Sequence, residues 1–161
     1  MSSIYRELVE RIRGELLDLE SVVERTQRSW AHVQEVTSEQ DIYLDSVALN
    51  LHGFYSGLER LFELIARHVD RSVPGGHTWH RDLLHRMSEE EKGVRPAVIS
   101  HDTASSLDEF RRFRHLVRNV YTTNLEPERI VGLMRSLPRL WENLKAELGA
   151  FADFLEELDR S

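Results

Sequence analysis

The sequence predicts an all-α fold, an antiparallel helical bundle of four long helices plus one short helix. Three observations carry this. Apolar residues recur at three- and four-residue steps through most of the chain, the spacing of a helix with one buried face. No segment shows a sustained alternation of period two, as a half-buried strand would. Breakers are few and concentrated, the strongest being Ser72-Val73-Pro74-Gly75-Gly76. At 161 residues the chain suits a single domain spanning 1–161 with one sizeable core.

A first helix is expected over about residues 3–36, where Ile4, Leu8, Ile12, Leu16, Leu19, Val23 and Trp30 form its stripe. Thr37-Ser38-Glu39-Gln40-Asp41 reads as a capping-box start for the second. That helix carries Leu44, Val47, Leu51, Phe54, Leu58, Leu61, Ile65 and Val69 and stops before the Pro-Gly-Gly breaker. A short helix runs through Trp79, Leu83, Leu84 and Met87, and residues 88–101 look irregular. The fourth helix covers about 103–121. Pro127 suits the first turn of a fifth, whose stripe runs from Ile130 to Leu158, with Pro138 expected to kink it.

Composition narrows the setting. The absence of cysteine removes disulfide and thiolate chemistry and fits a reducing cytoplasm, the expected location. Met-Ser-Ser-Ile-Tyr-Arg-Glu-Leu brings charges too early for a signal peptide. No run approaches the roughly eighteen apolar residues that cross a bilayer, so no membrane partner is expected. A net charge of −7 argues against nonspecific nucleic-acid binding by the whole surface. It also makes any local basic patch informative.

Such a patch lies at Arg111-Arg112-Phe113-Arg114-His115-Leu116-Val117-Arg118-Asn119-Val120-Tyr121. At about 100° per residue, Tyr121, Arg114, Arg118, Arg111, His115 and Asn119 share one polar face. Phe110, Phe113, Leu116, Val117 and Val120 share the opposite apolar face. An amphipathic helix is therefore expected to turn guanidiniums and an imidazole outward, a surface suited to phosphate. Arg111, Arg114 and Arg118 are the phosphate-binding candidates, and His115 is the candidate proton carrier on the same face. A solvated face paired with acidic neighbours is the ordinary alternative for such a run.

Two further groups stand out. Tyr55 and Glu59, four apart on the second helix, either line a cleft or form a buried hydrogen-bonded pair. His77, His80, Asp82 and His85 offer a His-x-x-His spacing that could ligate zinc. His77, however, sits beside Gly75-Gly76 in an expected loop, so capping or a site rim is preferred and neither metal nor other cofactor is expected.

The helical pattern and residues 113–121 together resemble the HEPN superfamily, specifically its HepT-like branch. Gly53-Phe54-Tyr55-Ser56-Gly57-Leu58-Glu59-Arg60 is similar to that branch's second helix. Pro74-Gly75, Trp79-His80-Arg81-Asp82-Leu83-Leu84 and Arg95-Pro96 are similar to its middle region. The resemblance implies a signature of Arg, a polar residue, three more residues, His, one residue and Tyr. It implies a metal-independent endoribonuclease whose two protomers face their signature helices across a shared cleft. The arginine stabilises the scissile phosphate and the histidine moves protons as the 2′-hydroxyl attacks. It also implies a toxin paired with a small MNT-type nucleotidyltransferase antitoxin, which transfers AMP to the tyrosine. By position the arginine is Arg114, the polar residue His115 and the AMP acceptor Tyr121.

The histidine position departs from the pattern and holds Asn119, which can orient a group but cannot titrate. Three readings stand: a non-catalytic member that binds RNA or its nucleotidyltransferase, a member in which His115 supplies the imidazole, or an inactivated form of an active toxin. The expected partners are thus a second copy of the chain in a homodimer, RNA and the antitoxin. The expected catalytic set is Arg114, Asn119 and His115.

Overall fold

A computed structural model describes residues 3–36, 38–119 and 127–161; the side chains of Arg118 and Asn119 fall outside that description. The element order is α1 (Ile4–Glu35), α2 (Gln40–Ile65), a π-helical turn (Ala66–Asp70), α3 (Trp79–Met87), α4 (His101–Asn119) and α5 (Pro127–Arg160). The bundle is all-α, four long helices and one short, with no named strand among the described residues.

The stripes account for the packing. α1 lies against α2 and α5, α2 also packs on α4, and α3 sits over the α2–α4 end. At the centre Phe54 meets the edges of Phe110 and Trp141, at ring separations of 5.9 and 6.0 Å. Phe62, Leu58, Leu107, Leu144 and Leu148 complete a dry core around them. Gly57 permits the close approach of α1, because a Cβ there would stand 3.0 Å from Glu15 Oε1 and 3.1 Å from Leu19 Cδ2.

Three local details differ from expectation or add to it. α2 starts without a side-chain cap: Glu39 is left-handed at φ 62°, and Gln40 instead donates to the Val33 carbonyl at 2.9 Å, closing the α1–α2 connection. Thr37, the first residue of the expected capping box, lies outside the described residues. α4 starts two residues earlier than the pattern suggests, because the Ser100 hydroxyl accepts from the Thr103 amide at 3.1 Å. Glu147 of α5 accepts from the Ser100 amide and from the Thr103 hydroxyl, placing a carboxylate at the positive end of α4. α5 continues through Pro138, which is exposed.

The segment between α3 and α4 lacks regular structure but is firmly fastened. Arg95, with its side chain at 0% exposure, bonds Asp70 through Nε at 2.6 Å and Nη2 at 2.9 Å. Its remaining N–H groups reach the carbonyls of Glu89, Pro96 and Arg86. All five donors of the guanidinium therefore have acceptors. This staple joins the π-helical turn to the loop that delivers α4.

Candidate active site

The wheel places Arg114 on an outward polar face, but its side chain is only 11% exposed. The reason is a carboxylate that a single-helix projection cannot include. Glu59 of α2 is buried, and Arg114 Nη1 bonds its Oε1 at 2.9 Å. The Tyr55 ring lies under the guanidinium, 5.6 Å from centroid to Cζ. Tyr55 and Glu59 thus share the floor of the site. Burial pushes the Tyr55 phenol well above its ordinary range, reinforced by the Glu59 charge and opposed by Arg111 and Arg114. Tyr55 consequently stays protonated and cannot serve as a base near neutrality.

The other oxygen of Glu59 is met by a residue from α3. His80 Nδ1 stands 2.7 Å from Glu59 Oε2 and 3.0 Å from Arg114 Nη2. A single ring nitrogen cannot donate to one and accept from the other. The shorter contact, to a carboxylate, requires a donor, so the assignment that satisfies it puts the proton on Nδ1. The opposite ring nitrogen, Nε2, is then the basic one. The Trp79 ring lies against the imidazole with centroids 3.6 Å apart.

Arg114 is less completely satisfied than Arg95. Its Nη1 has Glu59 and a long contact of 3.4 Å to the Ser56 hydroxyl. Its Nε is buried with no hydrogen-bond partner among the described residues.

Beside this cluster lies a cleft of about 600 Å³. His77, Trp79, His80 and Arg81 form one wall, and Arg111 and His115 of α4 form the other. Among the described residues no carboxylate lines it, although the chain carries seven net negative charges. Arg111 is braced by Asp108 at 2.7 Å, and His115 is exposed at the cleft wall. The structure therefore brings Arg114, Arg111 and His115 to one region and adds His80 and Glu59. Arg118 and Asn119 lie on the last turn of α4, and Tyr121 lies outside the described residues.

The expected histidine group divides. His80 belongs to the cluster, whereas His85 is exposed near Glu89 at 3.7 Å. Among the described residues no three histidines or carboxylates are grouped to hold a metal ion. Sequence reasoning placed His80 with those neighbours and missed its partnership with Arg114. The available signal was the short apolar stripe of α3, which seats that helix against α2 and α4.

The molecule is thus an all-α bundle with a largely shielded arginine in the second half of its fourth helix, beside a basic cleft. The family model for HepT-like proteins matches residues 46–155, which runs from within α2 almost to the end of α5. The chain belongs to this HepT-like family, within the HEPN superfamily. No curated protein and no solved structure was matched by the chain.

Proposed function

We propose that this protein is the toxin of a HEPN/MNT toxin–antitoxin pair and cuts RNA without a metal, by attack of a ribose 2′-hydroxyl on the adjacent phosphate. The observation that carries this reading is the carboxylate-free basic cleft beside Arg114, on the helix that bears the family signature. Among the described residues a polyanion meets arginines, imidazoles, the Trp79 ring and the Thr78 hydroxyl there. Arg114 is held in a single orientation by Glu59, which suits it to stabilise charge that develops on the phosphate oxygens. Arg111 and Arg118 guide the strand, and Asn119 orients it. Two copies set their fourth helices across one site, and Tyr121 is the residue an MNT-type nucleotidyltransferase would adenylylate to silence the toxin.

Two observations favour a second reading, a non-catalytic module that docks to the nucleotidyltransferase. The signature histidine is Asn119, and Arg114 already has a buried counter-ion. One experiment separates the two. Purified protein is incubated with a tRNA and an mRNA in EDTA, alongside Arg114→Ala. Cleavage that survives EDTA and disappears in the variant supports the ribonuclease. Absence of cleavage by the wild type, with activity gained by Asn119→His, supports the module.

A further inference from the structure

We infer that His80, oriented by the buried Glu59 carboxylate, is the proton-accepting group of the RNA-cleaving site, taking the role that Asn119 cannot fill. The inference rests on the ribonuclease reading above. It assigns to α3 a catalytic residue that the fourth-helix signature does not contain.

Three observations support it. First, Glu59 is 4% exposed, and a carboxylate so placed needs strong partners. It has two, Arg114 at 2.9 Å and His80 at 2.7 Å, and so ties the imidazole directly to the signature arginine. Second, Glu59 faces Nδ1, and the assignment that satisfies this carboxylate puts the proton there and the lone pair on Nε2. A carboxylate that orients an imidazole through one nitrogen while the other handles protons is a recurrent arrangement in general-base chemistry. Third, His80 retains 27% side-chain exposure and forms part of the cleft wall. A base must be buried enough to be held yet open enough to touch substrate, and His80 meets both conditions.

The groups around it are Glu59 from α2, Arg111, Arg114 and His115 from α4, and His77 and Arg81 from its own segment. Its substrate is a single-stranded RNA phosphodiester. The 2′-hydroxyl proton passes to His80 Nε2 as the 2′-oxygen bonds to phosphorus. The P–O5′ bond breaks, its electron pair stays on the 5′-oxygen, and that oxygen takes a proton from water. His80 then returns its own proton to solvent. The products are a 2′,3′-cyclic phosphate and a 5′-hydroxyl. Glu59 is a positioning residue, acting through the imidazole.

The test is cleavage, in EDTA, of a short fluorescent oligoribonucleotide and of its 2′-deoxy counterpart. His80→Asn keeps a side-chain N–H for Glu59 but removes the titrating nitrogen. It should lower the cleavage rate by about 100-fold or more with an unchanged melting temperature. The exposed His85→Asn should cleave like the wild type. In His80→Ala, added imidazole should restore part of the rate, which a purely structural role would not allow. Glu59→Gln should displace the pH–rate limb rather than merely scale it. Wild-type rates should fall toward acid pH, as protonation removes the accepting lone pair, a check that holds even if His80→Asn does not fold; a flat profile overturns the assignment. Undiminished cleavage by folded His80→Asn would also overturn it and leave the ribonuclease reading standing. Failure of the wild type to cleave any RNA would remove both.

Discussion

Arg95 and Arg114 are both withdrawn from solvent, and both face a buried carboxylate, but they are completed differently. Arg95 spends every N–H on Asp70 and three backbone carbonyls, in a pocket closed by the loop it fastens. Arg114 keeps a buried Nε without an acceptor among the described residues and shares its carboxylate with an imidazole at a cleft. A guanidinium with every donor satisfied holds structure together. Under the proposed function, the guanidinium left short of acceptors beside a basic opening is the one that meets the phosphate. Leaving a buried donor unmatched costs on the order of 1–3 kcal/mol, and a fold meets that cost where function requires it.

The largest loss of stability is expected at Arg95. Arg95→Leu should cost about 3–5 kcal/mol, because it strands the buried Asp70 carboxylate. That is a large share of the 5–15 kcal/mol typical of a domain, and urea denaturation would show it as a lower midpoint. Adding Asp70→Leu should recover most of the loss, since the unpaired charge is then gone.

Arg114→Met should be milder in stability, about 1–3 kcal/mol, because Glu59 keeps His80 as a partner. Its effect on RNA cleavage should be the larger one, a fall of about 100-fold or more measured per folded molecule. Ser100→Ala removes the hydroxyl that caps α4 and should cost about 1 kcal/mol, readable as a lower melting temperature with the cleavage rate per folded molecule retained.

The smallest effect is expected at the exposed pair of Arg13 with Glu156 and Asp153. The Arg13 hydrogen bond holds the Glu156 carboxyl below its ordinary value of 4.5. A carboxyl lowered in the folded state contributes stability above its unfolded value, and that contribution is lost as pH falls through the folded value. Arg13→Ala should therefore raise the Glu156 titration midpoint, seen by carboxyl carbon NMR, while stability at neutral pH stays nearly unchanged.

How much the sequence reveals differs between these regions for the same reason. Helices announce themselves by local periodicity, so the four long elements, the short α3 and the breaker before it were all readable, and Phe110 and Phe113 were correctly placed on the buried face of α4. Residues 88–101 read only as irregular. Their order comes from Arg95 meeting Asp70, twenty-five positions earlier, and no local pattern encodes that meeting. Arg114 is readable as a signature residue but not as a largely shielded one, because the wheel of α4 takes no account of Glu59 on α2. His80 was visible as a titratable residue and was grouped with His77 and His85 by spacing alone. Packing of α3 against α2 and α4 gives it different company.

The role of Arg114 is read most directly from one rate: cleavage of an oligoribonucleotide in EDTA by Arg114→Lys, relative to wild type and corrected for folded fraction. Lysine keeps the positive charge facing Glu59 but gives up the planar fork. The prediction is a melting temperature close to that of the wild type with cleavage reduced by about 100-fold. An unchanged rate in the folded variant would mean that Arg114, like Arg95, serves the fold alone, and would contradict the account.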